Sequence, residues 1–246
     1  MRAITVAVDY LDLLAITLPY NRHHFDDFMV VTSPPERDKG IIQLATALKC
    51  RVHVTDAFYR NNAVFNKWLA LEEALDAFGR HDWTVLLDAD ILWPRKLPEF
   101  PKAIGCLYTP FRRIAIDYRS FADGVPPESQ WARFRLFKEY EYAGYSQIFH
   151  ADDRHLPAPP WHETDWVHAG GADSFFQRLW PDVEKIRPPF TVLHLGRPGQ
   201  NWCGRTNAYM DGSEPEGKDA KTQQLRAFIA SRKPGSDRYR GEKIGP

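Results

Sequence analysis

Along this chain, short unbroken apolar runs alternate with longer stretches in which apolar residues recur at helical spacing. AITVAV (residues 3–8) and FMVVTS (28–33) read as buried strands, the second closed by Pro34 and Pro35. CRVHVT (50–55) alternates like a third strand, and TVLL (84–87) is a fourth. Between them, residues 11–18 and IIQLATALK (41–49) carry helical spacing. FNKWLALEEALDAF (65–78) is the clearest amphipathic helix, with Gly79 as its stop. Four strands alternating with helices in the first ninety residues predict an α/β fold. Its core is a Rossmann-like, mostly parallel sheet flanked by helices and joined by βαβ crossovers.

After Pro110 the pattern changes. The stretch from Phe111 to Gly144 is rich in aromatics and arginines and shows no clean period. YSQIFH (145–150) resumes as a strand, residues 173–180 read as a short helix entered through Gly170 and Gly171, and FTVLHLG (190–196) reads as a last core strand. Beyond Arg205 the chain is polar, with one helical stretch at 220–231 and a tail from 233 to 246 expected to be disordered or laid over the surface. No internal repeat is present. The expectation is a single domain over 1–205 followed by a polar C-terminal helix and tail over 206–246.

Composition narrows the class. Hydrophobic residues at 43% and charged residues at 26% are ordinary for a soluble globular protein. Lys+Arg and Asp+Glu both number 32, so no global field draws the chain to nucleic acid or an anionic membrane. No apolar run approaches the roughly 20 residues needed to span a bilayer. Asp9 and Asp12 interrupt the first apolar stretch and no small-residue cleavage site follows, which favours a first strand over a leader. Cys50, Cys106 and Cys203 are widely spaced and odd in number, which suits neither a disulfide framework nor a zinc site and makes cytoplasmic residence the expectation.

The candidate chemistry begins where the fourth strand ends, in VLLDADILWP. In open α/β sheets ligands lie outside the carboxyl ends of the strands, and Asp88 and Asp90 stand at such an end. Two ionised carboxylates so close repel each other, and desolvation adds to the cost. A hard divalent cation, Mn²⁺ or Mg²⁺, relieves both effects and commonly completes its shell with substrate phosphates. The alternative is a strand-end turn in which the aspartates cap amides or pair with Arg95 and Lys96.

Together with three further segments in the same order, VLLDADILWP resembles the D-x-D segment of nucleotide-sugar-dependent glycosyltransferases of the GT-A fold. FNKWLALEEAL resembles the helix start of the β-1,4-galactosyltransferase group, HAGGADSFF resembles that group's W-G-G-E-D segment, and HLGRPGQNW resembles the late histidine segment of glycogenin-like enzymes. The resemblance implies a GT-A-like single domain and transfer of a sugar from a nucleotide-diphosphate donor, a UDP-sugar first among candidates, to an acceptor hydroxyl with inversion. It implies a cation held by Asp88, Asp90 and His194, and Lys67 near the donor phosphates. Asp173 would be the catalytic base, with Asp165 and Glu163 as substitutes. Ala172 stands where the group has glutamate.

Other positions carry expectations of their own. Asp9, Tyr10, Thr32 and Ser33 follow the first two strands, where base and ribose lie in this fold. Gly170 and Gly171 permit close backbone approach to a ligand, Arg197 and Arg205 suit a diphosphate, and Trp202, like Trp161 and Trp166, suits a sugar ring. Each has an ordinary structural use as cap, core or surface residue. The arginines of residues 111–145 admit a nucleic-acid acceptor, including a modified DNA base, although acidic residues nearly balance them. Two rival readings remain: a non-catalytic nucleotide-sugar or carbohydrate-binding module, and a haloacid-dehalogenase-type phosphatase with Asp88 as nucleophile.

Overall fold

A computed structural model describes residues 1–138, 142 and 144–231; the expected tail at 233–246 lies outside them. The chain builds a seven-stranded sheet with helices on both faces. Its centre is β1 (Arg2–Val6), paired in parallel with β2 (Asp27–Thr32) on one side and β4 (Trp83–Asp88) on the other. β3 (Arg51–Val54) extends it beyond β2. On the far side β9 (Ser146–His150) runs antiparallel to β4 and leads to β6 (Leu107–Tyr108) and β10 (Lys185–Ile186). This is the mostly parallel α/β arrangement that the alternation of runs predicts.

The two faces follow from the period of two along a strand. Ala3, Val30, Val85 and Leu87 pack under α1 (Leu11–Asn21) and α2 (Pro35–Ala47) through Leu14, Leu18, Ile41 and Ala45. Ile4, Met29, Val31 and Leu86 pack on the opposite face against α3 (Lys67–Phe78), through Trp68, Leu71, Leu75 and Phe78. α3 begins where the Asn66 side chain accepts from Leu69 N–H at 3.0 Å and ends at Gly79, whose φ of 84° suits glycine. The last helices are α4 (Ala172–Phe176), shorter than the 173–180 reading and continued by a 3-10 turn, and α5 (Lys218–Ser231).

A second sheet has the order β5 (Ile91–Leu92), β11 (Thr191–Leu195), β7 (Phe111–Ala115), β8 (Arg135–Phe137). β11 is the strand read at 190–196, but it sits here rather than in the main sheet. β7 pairs parallel with β11 and was hidden in the aperiodic region. Among the described residues, no helix is long and apolar enough to cross a membrane.

One buried carboxylate ties α3 to the chain that carries the later site residues. Glu72 Oε1 accepts from His162 N–H at 2.9 Å and lies 2.5 Å from His162 Nδ1, while Oε2 accepts from Trp161 N–H at 3.0 Å and Arg80 Nη2 at 2.7 Å. The His162 ring is stacked between Trp68 and Phe176. Burial alone would raise the Glu72 pKa, but its bond to His162 and the charges of His162 and Arg80 hold it below the ordinary 4.5. Burial lowers the His162 pKa from 6.5, against the pull of Glu72.

Both folded-state values are depressed, so both contributions to stability are present above the ordinary values and are lost as pH falls through the folded ones. Urea denaturation should therefore show stability falling first below pH 6.5 and again below 4.5. Glu72→Ala, which leaves the buried amides of Trp161 and His162 and the His162 ring without their acceptor while Arg80 keeps Asp76, should cost about 3–5 kcal/mol at neutral pH. A loss under 1 kcal/mol would contradict this account of the network.

Candidate functional site

The carboxyl edge of β1 and β4 opens into a cavity of about 150 Å³ walled by Tyr10, Lys67, Asp88, Asp90, Asp173 and His194, with Arg112, Tyr145, Arg197, Asn201 and Trp202 around them. The turn that carries the aspartates is held from below by α1. Buried Thr17 donates its hydroxyl to Ala89 O at 2.6 Å, and buried Asn21 donates to Ile91 O at 2.7 Å while accepting from Trp93 N–H at 2.9 Å. Asp88 N–H donates to Tyr145 O at 3.0 Å. The backbone of the turn is thus anchored from two sides, and its two aspartate side chains line the cleft.

Each aspartate has its own nitrogen partner. Lys67, the first residue of α3, places Nζ 2.5 Å from Asp88 Oδ1. Asp88 lies deep in the cleft yet keeps 33% of its side chain exposed toward it. Burial and the charge of Asp90 raise its pKa, against the pull of Lys67. Burial also acts to raise Asp90, but His194, whose Nε2 is 3.3 Å from Asp90 Oδ2, brings it below the ordinary carboxylate value. Desolvation would lower Lys67, but Asp88, with Asp173 and Asp90 beyond it, holds the ammonium above 10.5.

His194 reaches Asp90 because β11 is antiparallel to β5, which directly follows the turn: His194 aligns with Ile91, and Leu195 N–H donates to Asp90 O at 2.8 Å. Asp90 Oδ1 and His194 Nδ1 are buried without a hydrogen-bond partner. Among the described residues, no three His, Cys, Asp or Glu side chains form a ready-made metal cage. The donor set, one imidazole and one carboxylate with open positions and a second carboxylate engaged by lysine, fits an open hard-cation site whose shell substrate oxygens complete.

Asp173 faces this cluster from α4. It is not the helix cap; that place is taken by Gly171, at φ 109°. Its Oδ2 accepts from Gly144 N–H at 2.8 Å and its Oδ1 from Ser174 N–H at 2.8 Å. Two amides therefore fix a carboxylate at the cleft wall. A Cβ on Gly144 would stand 2.6 Å from Asp173 Cβ, so that approach requires glycine.

The other sequence candidates divide. Tyr10, Gly171, Arg197 and Trp202 line the cavity; Asp9, Thr32, Asp165 and Glu163 do not. Asp9, at φ 62°, accepts from Tyr209 Oη at 2.5 Å, and its own amide donates to Asp38 Oδ1. Thr32 is fully buried, Ser33 bonds Asp38, and Asp165 and Glu163 are exposed. Gly170 lies behind Trp202, whose ring atoms come within 2.4 Å of where a Cβ would be. Trp161 and Trp166 belong to the core. Arg205 reaches the cavity wall, but its guanidinium is committed to Asp12 and to the carbonyls of Asp9, Asn207 and Ala208.

Sequence reasoning missed Tyr145 and Asn201, and it placed Arg112 only among the arginines of residues 111–145. Arg112 is in fact buried in the cleft, and Arg113 spends its guanidinium on Ala132 O and Phe134 O. The signal for Arg112 was the alternation in FRRI, where the second and fourth positions are buried and the first and third half-buried.

No family model matches the sequence, and no curated protein matches it. Among solved structures, the chain is similar to glucosyl-3-phosphoglycerate synthase from Mycobacterium tuberculosis. Against its complex with Mn²⁺, uridine-diphosphate and glucosyl-3-phosphoglycerate the identity is 18% and the TM-score 0.43, covering 92% of this chain and 77% of that one. Its complex with phosphoglyceric acid gives 18% and 0.45 over the same shares. Its complex with Mg²⁺ and uridine-diphosphate gives 17% and 0.41, over 92% and 76%.

The contact between Gly170 and Trp202 yields a test of how the cleft wall is built. Gly170→Ala must push the indole aside, and overpacking of this kind costs about 1–3 kcal/mol. Denaturation should show a loss in that range, with Trp202 displaced from the cleft. An unchanged stability would mean that the wall yields freely and that the glycine is dispensable.

Proposed function

We propose that this chain is a metal-dependent glycosyltransferase that takes a sugar from a nucleoside-diphosphate donor, a UDP-sugar being the first to test, and passes it to an acceptor hydroxyl. The observation that carries the reading is the convergence in one cleft of Asp88 with Lys67, Asp90 with His194, and the amide-held carboxylate of Asp173. Such a set of alternating charges suits a ligand that is itself an anion with a cation attached. Asp90 and His194, joined by Asp88, would hold Mn²⁺ or Mg²⁺, and Lys67 and Arg197 would meet the donor phosphates.

When bound, the cation supplies electrostatic stabilisation of the charge that develops on the departing diphosphate. The chain's own groups do the rest. Lys67 exchanges a carboxylate oxygen for a phosphate oxygen. Tyr10 and Trp202 offer ring faces at the cavity wall, suited to a base or a sugar. Asp173 accepts the proton of the acceptor hydroxyl as that oxygen attacks the anomeric carbon, which inverts its configuration. Ala172, in place of a second carboxylate, leaves Asp173 as the acidic residue of that segment facing the cavity.

Calorimetric and thermal-shift binding of a nucleotide-sugar panel, with and without Mn²⁺, tests this. Stabilisation by one nucleotide family should require the cation and should disappear in Asp90→Asn. Asp173→Asn should keep donor binding and lose about 10²–10⁴-fold in transfer rate. Donor binding by the wild type without any transfer or donor hydrolysis would instead support a binding module. Release of phosphate from simple phosphomonoesters through Asp88 would support the phosphatase.

A further inference from the structure

Among the described residues, Arg112 is a buried cation that forms no ion pair and whose Nε has no hydrogen-bond partner. It is 5% exposed and lines the cleft. Its Nε is buried with no hydrogen-bond partner, and among the described residues no carboxylate lies within ion-pair distance of it. The other buried arginines differ. Arg2 donates to the carbonyls of Phe78, Gly79 and His81, and Arg205 is forked onto Asp12. Guanidinium stays charged in proteins, so an unpaired one in the interior is a costly feature with no packing purpose of its own.

What holds Arg112 is contact with two aromatic rings. Its guanidinium carbon is 4.2 Å from the Tyr145 ring centre and 4.7 Å from that of Phe137. Ring contacts of this kind attract the cation but supply no oxygen acceptor for its N–H groups. β7 and β11 align Arg112 with Val192 and Ile114 with His194, so Arg112 and His194 stand on one face of the small sheet, about 7 Å apart along the strands. Tyr145 follows Gly144, whose amide holds Asp173, so the cation also neighbours the candidate base. Burial lowers the Arg112 pKa, while Asp88, Asp90 and Asp173 all act to raise it.

We propose that Arg112 is the receptor for an oxyanion, a phosphate or carboxylate, carried by the substrate that occupies the cleft beside Asp173. The assignment rests on the cleft being the substrate site and not on the reaction being glycosyl transfer. Two sources offer this chemistry: the diphosphate of the donor, or an anionic group on the acceptor.

Titration of the full chain with inorganic phosphate, followed by calorimetry, separates them. Wild type should bind phosphate, Arg112→Met should bind it at least tenfold more weakly, and Arg112→Lys should fall between. If phosphate still binds after saturation with UDP and Mg²⁺, the oxyanion belongs to the acceptor; if UDP displaces it, the oxyanion is the donor's. Arg112→Met should also melt no lower than wild type, because it removes an unpaired buried charge, whereas Arg205→Met should melt lower. Equal phosphate affinity in wild type and Arg112→Met, no phosphate binding by wild type at tens of millimolar, or a melting loss as large as that of Arg205→Met would overturn the assignment. Phosphate binding through Arg112 without any nucleotide-sugar binding would leave it standing and count against glycosyl transfer.

Discussion

Two carboxylates set two residues apart at the buried end of a strand impose a charge problem, and much of the architecture answers it. Lys67 meets Asp88 and His194 meets Asp90, each from a different part of the chain. Lys67 arrives because Asn66 starts α3 beside it; the same asparagine donates to Thr164 O at 2.7 Å and so sets the helix start against the segment leading to Asp173. His194 arrives because two residues of β5 pair with β11. Thr17 and Asn21 hold the turn itself, which explains why α1 carries buried polar residues on an otherwise apolar face. These two contacts make the isolated chain tolerable, and both can be rearranged by a ligand that brings charges of both signs.

The main sheet was legible because its central strands are covered on both faces and must be apolar almost throughout. AITVAV and VLLDAD announce themselves for that reason, and α3 does so by its period. Of the small sheet only β11 was legible, and the two-residue strands of either sheet were not. β5, β6 and β10 are two residues long, and no periodicity can be read from two positions. β7 places one arginine in the cleft and the next against loop carbonyls, so its alternation is of function and not of polarity. A strand of this kind looks like surface until its neighbours are known.

The site was legible in part, along the same division. Asp88, Asp90, Lys67, Asp173 and His194 sit at element ends where topology directs ligands, and they converge. Asp9 and Thr32 occupy equivalent ends of β1 and β2, yet neither lines the cavity. Asp9 is taken by Asp38 and by Tyr209, 200 residues away, and Thr32 is covered completely. Strand-end position thus selects candidates, and distant chain decides among them; a single sequence carries the first kind of information far better than the second.

An orphaned polar atom is a weak sign of function by itself, and this chain shows why. Thr5, Thr32 and Thr109 also bury hydroxyl oxygens without partners. A neutral hydroxyl in that state costs far less than an unpaired ion, and at these three positions it bears on no cavity wall. Asp90 Oδ1, His194 Nδ1 and Arg112 Nε differ on both counts: they belong to ionisable groups, and those groups line one cleft. Interior packing could have replaced each with an apolar side chain at a gain in stability. Other ionisable groups, such as His24 and His162, also bury one unpartnered atom, but these three stand together around one space, and such departures collect where a fold meets its ligand.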